Sequence, residues 1–115
     1  MAGALATTAL SIPKFTEPTP CVAASVNYKN NTINKGKRLT KEYSINYVVN
    51  GGSILCDYKD DAESVAKDAS IIGLGYYEFA SRHNKNGARI GEYYEHFHVI
   101  GLRIVGRPHI WYIYE

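Results

Sequence analysis

The sequence has little of what would classify it directly. It contains only two cysteines, Cys21 and Cys56, and no Cys-x-x-Cys pair, which excludes a zinc knuckle built on cysteine. The apolar run MAGALATTALSI at the start is shorter than the roughly 20 residues that a membrane-spanning helix needs, so we expect no stable membrane insertion. No basic segment precedes this run, which makes it a poor match to a standard secretory signal.

The chain also lacks a large excess of either charge. Its 13 Lys and Arg stand against 11 Asp and Glu, a formal net charge of +2. That value is too small to identify a nucleic-acid-binding protein, although local basic patches can still matter. Tyrosine, in contrast, is abundant, with 10 residues against 3 Phe and 1 Trp. Tyrosine suits half-buried strand faces and contact surfaces, so its abundance indicates β-structure first and a binding surface second.

Length and proline placement predict one domain behind a short leader. A chain of 115 residues, 45% of them apolar, is enough for a single core. Three of the four prolines lie in PKFTEPTP (13–20), which predicts an extended linker. We therefore expect an apolar tail and Pro-rich linker over residues 1–20 and one domain over residues 21–115. The cysteines either form a disulfide in an exported protein or stay free thiols inside a cell, and the sequence leaves both open.

Most of the domain has the alternating or β-branched pattern of strands. The segment 29–38 is polar and is predicted to be a turn, and Asn50-Gly51-Gly52 is predicted to close a hairpin. The segment 76–81 fits a strand or the last turn of a short helix. The other predicted strands are 21–28, 42–49, 53–58, 90–105 with a break at Gly91 or Gly101, and 109–115.

One segment changes to helical spacing. Residues 60–73 have an apolar stripe at 3.6-residue spacing, which consists of Ala62, Val65, Ala66, Ala69 and Ile72. Asp60 or Asp61 is expected to cap this helix, and Gly73 is expected to end it. The order of the elements predicts an α+β fold, with a mostly antiparallel sheet and one main helix, about 60–73, packed on one face.

Three of the four histidines lie in the last two predicted strands. Side chains alternate along a strand, so His96 and His98 point to the same face. A four-residue turn, VGRP, would pair Ile104 with His109 and bring His109 to that face as well. A three-residue turn, GRP, would instead place Tyr112 and Tyr114 beside the first two histidines. We favour the four-residue turn.

Such a cluster predicts one of two chemistries, if the histidines are not merely structural. Two imidazoles can act as general base and general acid because their ordinary pKa lies near neutrality. Cleavage of RNA by its 2′-hydroxyl needs this pair and a cation for the phosphorane charge, which Arg89, Arg103 or Lys85 would supply, and it needs no metal or other cofactor. Alternatively, His96 and His98 with a third ligand bind a divalent metal.

Aromatic side chains near the histidines are candidates for holding a base of the substrate. Tyr94, Trp111 and Tyr112 are the residues expected to stack on it, because every base has a π-face. His83 is isolated in the polar segment RHNKNGAR (82–89) and is expected to be solvated.

The motif HFHVIG resembles the His-hydrophobic-His motif of the HUH endonucleases. The resemblance implies a metal-dependent nickase of single-stranded DNA, with His96 and His98 as metal ligands and a tyrosine nucleophile. Only 17 residues follow His98 and they read as strand, so Tyr76 or Tyr77, before the motif, would have to be the nucleophile.

A broader resemblance covers about residues 60–115. The apolar leader, the Pro-rich linker, the KNG loop and the H-x-H motif followed by HIWY are similar to the C-terminal toxin modules of bacterial polymorphic toxins. This resemblance implies an RNase with His96, His98 and His109 as its active site. It also implies that the protein is secreted or delivered into a target cell's cytoplasm, and that a cognate immunity protein exists. We therefore predict metal-independent RNA cleavage. The alternatives are the HUH-type nickase and a non-catalytic interaction domain that binds a partner with a Tyr-rich sheet.

Overall fold

The computed structural model describes residues 19–29, 32–81 and 94–115, without the side chains of residues 28, 29, 32 and 33. These ranges form an α+β domain with a six-stranded sheet and two helices. The elements are β1 Cys21–Lys29, β2 Thr32–Thr40, α1 Lys41–Val49, β3 Ser53–Tyr58, α2 Lys59–Ile72, β4 Gly75–Ala80, β5 His96–Gly101 and β6 His109–Tyr114.

The sheet has the strand order β2-β1-β3-β6-β5-β4. All neighbouring strands are antiparallel except β3 and β6, which run parallel. The predicted fold class, a mostly antiparallel sheet with the main helix on one face, is therefore confirmed. The parallel pair places the last strand in the centre of the sheet, between β3 and β5.

The main helix covers the sheet with the stripe that the sequence predicts, apart from its last member. Val65, Ala66 and Ala69 are fully buried in the main core, whereas Ile72 is 55% exposed. The helix starts one residue early, after Tyr58, which makes no side-chain cap. Asp60 and Asp61 lie in its first turn, where carboxylates are favourable beside the positive end of the helix dipole.

The prediction of a hairpin over 42–58 is wrong, because its first half is the helix α1. The side chain of Thr40 caps this helix and accepts a hydrogen bond from the backbone N–H of Tyr43 at 3.2 Å. The buried positions are Ser44 and Val48, four residues apart, so the tertiary contact follows the helical period. The alternating aromatic and aliphatic residues that suggested a strand include the exposed Tyr43. Asn50-Gly51-Gly52 does form a turn, but it joins a helix to a strand.

The predicted turn at 29–38 is also wrong, since most of it belongs to the edge strand β2. An edge strand has one side free of a partner strand, and polar and charged residues are common there. Residues 34–38 are exposed, which explains why this strand has no apolar pattern. The segment that fitted a strand or a helix is the other edge strand, β4.

Several other predictions lie outside the described residues. They concern the tail and linker up to residue 18, the segment 82–93 with His83, Lys85 and Arg89, and the start of the long strand predicted at 90–105. In the described ranges, Cys21 is exposed, Cys56 is buried and both are free thiols. No helix in these ranges is long and apolar enough to cross a membrane.

The two faces of the sheet differ in what covers them. Both helices pack on one face, here called the helix face, through a core that includes Ile54, Val65 and Val99. The opposite face carries His96, His98 and His109 and is called the histidine face. Within the described ranges neither helix packs on it, and Val26, Leu55 and Trp111 form a small buried apolar cluster there.

Candidate functional site

Strand pairing brings the three histidines together. His98 is the direct partner of His109 on the neighbouring strand, and His96 is the partner of Trp111. In antiparallel strands, directly opposite residues point to the same face. The expectation that the histidines share one face therefore holds, and the alternative that places Tyr112 beside them is wrong.

The connection between these strands is longer than the predicted four-residue turn. The strand β5 ends at Gly101 and β6 begins at His109, so residues 102–108 connect them. Ile104 is not paired with His109; it lies in this connection and is almost buried near Gly73. His109 nevertheless lies on the same face as His96 and His98, as predicted. The real and the predicted registers differ by an even number of residues, and an even shift keeps side chains on the same face.

The imidazole rings are in mutual contact. Ring centroids are 4.7 Å apart for His96 and His98, 5.2 Å for His96 and His109, and 4.5 Å for His98 and His109. One nitrogen from each residue can be chosen so that all three lie within 4.8 Å of one another. His96 is buried, with 4% of its surface exposed, and the other two are half-buried. The cluster is therefore one compact unit that solvent reaches from the side of His98 and His109.

The backbone fixes the tautomer of His96. Its Nδ1 lies 3.0 Å from the carbonyl oxygen of Tyr94, and because a carbonyl only accepts, Nδ1–H must be the donor. In the neutral ring the lone pair is then on Nε2. This nitrogen lies 3.2 Å from Nε2 of His98.

His98 cannot satisfy both of its nitrogens in the same arrangement. If its Nε2–H donates to His96, its Nδ1 carries a lone pair, and that buried atom has no hydrogen-bond partner in the structure. If Nδ1 holds the proton instead, the two Nε2 lone pairs face each other. A cation between these two nitrogens, such as a proton, resolves the second arrangement.

Burial disfavours the charged form of two of the histidines. It lowers the pKa of His98, helped by the charges of His96 and Arg107, while Glu78 and the Pro108 carbonyl oppose the change. Burial also lowers the pKa of His109 to about 4, together with the two neighbouring histidines and Arg107. His109 is therefore neutral at pH 7, with a nitrogen able to accept a proton.

Among the described residues, Arg107 and Glu78 are the charged side chains that act on the cluster, whereas the predicted cations Lys85 and Arg89 lie outside the described residues. Arg107 is the cation whose charge acts on both His98 and His109. Arg103 is exposed in the connection after β5, and its backbone N–H donates to Gly73 at the end of α2. Glu78 is the strand partner of His98 and points to the same face. Glu78 could not be predicted from the sequence, because its position beside His98 depends on the pairing of β4 with β5.

The three aromatic candidates have different positions. Tyr94 is half-buried, orients His96 through its backbone carbonyl and packs against the apolar cluster under the histidine face. Trp111 is 2% exposed, and its ring stacks on His109 with centroids 5.0 Å apart, so it supports the cluster and is not free to stack on a base. Tyr112 is buried on the helix face, where its hydroxyl donates to Glu95 at 2.8 Å. We therefore withdraw Trp111 and Tyr112 as base-stacking residues.

Comparisons of the chain with protein-family models, with curated proteins and with solved structures find no match. The resemblances to toxin modules and to HUH endonucleases therefore stay predictions.

Proposed function

We propose that the domain cleaves RNA with His96, His98 and His109, by acid–base catalysis that needs no cofactor. The observation that carries the proposal is the convergence of three imidazoles, with nitrogens within 4.8 Å, on the sheet face that neither described helix covers. An acid and a base must both come within hydrogen-bond reach of one substrate, and this spacing allows two imidazoles to contact the same phosphate group.

His109 is the proposed base. At neutral pH its ring is uncharged, because burial holds the pKa near 4, so a nitrogen can take the proton of a 2′-hydroxyl. The 2′-oxygen then attacks phosphorus, a 2′,3′-cyclic phosphate forms and the bond to the 5′-oxygen breaks. Trp111, stacked on the ring, holds His109 in its orientation.

The His96 and His98 pair is the proposed acid. Their Nε2 atoms are 3.2 Å apart, which is too close for a phosphate to lie between them, so we assign the pair a single role. In the form that acts as the acid, the pair has taken up one added proton, which the two Nε2 atoms share, and it returns to the neutral state when it gives that proton up. That proton passes to the leaving 5′-oxygen. Arg107 is close enough to affect both His98 and His109, and its charge would stabilise the phosphorane. The proposed mechanism thus uses His109 as the base, the His96 and His98 pair as the acid and Arg107 as the cation.

The wider setting of the activity comes from the resemblance to toxin modules. It consists of an RNA substrate inside a target cell, delivery of the domain by secretion, and a cognate immunity protein that blocks the site. Neutralisation of RNA cleavage by the product of an adjacent gene would support this setting, and it can be tested separately from the chemistry.

The chemistry is tested by incubating the purified chain with labelled RNA, with RNA that has a single 2′-deoxy position, and with single-stranded DNA. We expect cleavage of RNA only, a 2′,3′-cyclic phosphate end, and no loss of activity in EDTA. His98→Ala and His109→Ala should each slow cleavage by about 10²–10⁴-fold. His83→Ala, which removes the remaining histidine of the chain, is the matched control and should stay active.

Two other results would replace this proposal. Nicking of single-stranded DNA that EDTA abolishes would favour the HUH-type nickase, with His96 and His98 as ligands. No cleavage of either nucleic acid would favour the non-catalytic interaction domain.

A further inference from the structure

The strongest unassigned property of the cluster is how its nitrogens are arranged toward one another. The carbonyl of Tyr94 binds the Nδ1–H of His96, which leaves the Nε2 lone pair of His96 directed at Nε2 of His98. Histidines that ligate a metal typically donate one ring nitrogen to a backbone carbonyl or carboxylate, and His96 makes this bond through its Nδ1–H.

The distance between these nitrogens fits two ligands of one metal ion. With metal–nitrogen bonds of about 2.0–2.1 Å, a tetrahedral ion holds two ligand nitrogens about 3.3–3.4 Å apart. The separation in the structure is 3.2 Å. The chosen nitrogen of each of the three histidines lies within 4.8 Å of the others, so the third donor would have to move closer by up to about 1.5 Å to reach the tetrahedral spacing.

The buried nitrogen of His98 is a second, independent observation. Its Nδ1 has no hydrogen-bond partner when Nε2 donates to His96. A buried polar atom without a partner costs about 1–3 kcal/mol. An ion bound between the two Nε2 atoms would satisfy both of their lone pairs and place the ring proton of His98 on Nδ1.

We infer that His96, His98 and His109 bind one divalent transition-metal ion of the Zn²⁺ class, and that the bound ion inhibits RNA cleavage. Three neutral imidazoles suit Zn²⁺, Cu²⁺ or Ni²⁺ better than Mg²⁺ or Ca²⁺, which prefer oxygen ligands. Glu78, the strand partner of His98, supplies negative charge next to the site, and Arg107 supplies opposing positive charge.

Inhibition is expected because metal binding and acid–base catalysis would use the same lone pairs of the histidine nitrogens. A lone pair bound to a metal cannot take a proton from a 2′-hydroxyl, and a nitrogen on the metal cannot carry the proton for the leaving oxygen. Binding stands on the geometry alone, whereas inhibition rests on the proposed RNA cleavage. The metal would then act as a reversible regulator of the site.

Binding is measured without RNA. The metal-free chain is titrated with Zn²⁺ by calorimetry, and with Co²⁺, whose visible absorption reports a tetrahedral site. We expect one equivalent to bind, and His98→Ala and His109→Ala to weaken binding by at least about 10-fold. His83→Ala should bind like wild type. Far-ultraviolet circular dichroism and thermal unfolding of each variant check that it is folded. Stoichiometric binding that both folded cluster variants retain, or no binding by wild type, would overturn the inference.

Inhibition is measured in the RNA assay with the same preparations. One equivalent of Zn²⁺ should stop most cleavage, and excess EDTA should restore it. If the ion binds and cleavage accelerates, the inhibitory role and the acid–base mechanism both fail, while the metal site stands. If the chain binds the ion but cleaves no RNA before or after EDTA, the proposed function and the inhibitory role fail. If it cleaves RNA and binds no ion, only the metal inference fails.

Discussion

The two faces of the sheet bury side chains for different reasons. On the helix face, Ile54, Val65 and Val99 are fully buried, and each packs in one continuous apolar core with the helices. On the histidine face, the 4% exposed His96 is surrounded by other imidazoles and a tryptophan. Apolar burial stabilises the first face by itself, but burial of imidazoles costs free energy unless their nitrogens are satisfied.

Residues of the helix face should therefore affect mainly the stability of the fold, and residues of the histidine face mainly the chemistry of the site. The helix face needs only residues of suitable size and hydrophobicity, whereas the histidine face keeps polar groups where apolar ones would pack at lower cost. Sites that bind or react commonly carry such a cost. Variants on the two faces should therefore change different measurable quantities.

The largest effect is expected from His98→Ala on the histidine face. A loss of about 10²–10⁴-fold in RNA cleavage corresponds to about 3–5 kcal/mol in the activation barrier. The free energy of unfolding should change by less than about 1 kcal/mol, because the lost packing is offset by removal of a buried nitrogen without a partner. Urea denaturation of metal-free protein measures the second quantity. A large loss of stability together with normal cleavage by the folded fraction would make His98 a structural residue.

The opposite result is expected from Val65→Ala on the helix face. Val65 is fully buried under the sheet, and removal of its two methyl groups should lower the free energy of unfolding by about 2 kcal/mol. Cleavage per folded molecule and binding of Zn²⁺ should not change. The exposed Lys67 on the same helix gives the control, since Lys67→Ala should leave stability within about 0.5 kcal/mol of wild type. Impaired cleavage in folded Val65→Ala would show that the two faces are coupled.

The sequence predicts the elements whose period is set by burial on one side. The stripe of α2 is such a case, and only Ile72, at the end of the helix, departs from it. The shared face of the histidines is another, because alternation along a strand does not depend on the length of the turn. In contrast, α1 presents alternating residues such as Tyr43 to solvent. Its packed side consists of the buried Ser44 and Val48 and the partly buried Ile45 and Val49, and in a nine-residue helix this spacing is too short to outweigh the alternation.

The parts of the site that the sequence did not predict come from long-range pairing. Glu78 lies near His98 because β4 pairs with β5, and the position of Arg107 depends on how residues 102–108 connect β5 to β6. The role of the Tyr94 carbonyl belongs to the backbone, which no side-chain pattern reveals. Residue types therefore indicated the histidine cluster, and the fold was needed to identify what surrounds it.

A smaller effect, at Cys56, tests whether the helix face is chemically inert. Burial, reinforced by Asp61 and Asp57, raises the pKa of this thiol from 9.0 to about 12. The thiolate is the reactive form, so iodoacetamide at pH 8 should label exposed Cys21 and spare Cys56 until urea unfolds the chain. Because the pKa of Cys56 is higher in the folded than in the unfolded chain, the unfolded thiol loses its proton first as the pH rises. The contribution of Cys56 to the free energy of unfolding is therefore fully present below pH 9 and is lost as the pH rises toward 12. Cys21→Ser should show no label when native and one when unfolded; labelling of its native form would contradict the buried placement.

The smallest effect concerns the turn that joins the helix layer to the edge of the sheet. Leu74 is the one described non-glycine residue with a positive φ, 56°, and it is 55% exposed. This left-handed conformation costs a residue with a β-carbon about 1 kcal/mol or more, and the cost disappears in glycine. Part of the gain is offset because glycine has more freedom in the unfolded chain. We expect Leu74→Gly to raise the free energy of unfolding by up to about 1 kcal/mol, seen as a higher urea midpoint with an unchanged slope.

Leu102→Gly, at an 84% exposed position without a positive φ, is the matched control and should give no gain. Equal changes in the two variants would mean that the backbone at Leu74 is not strained.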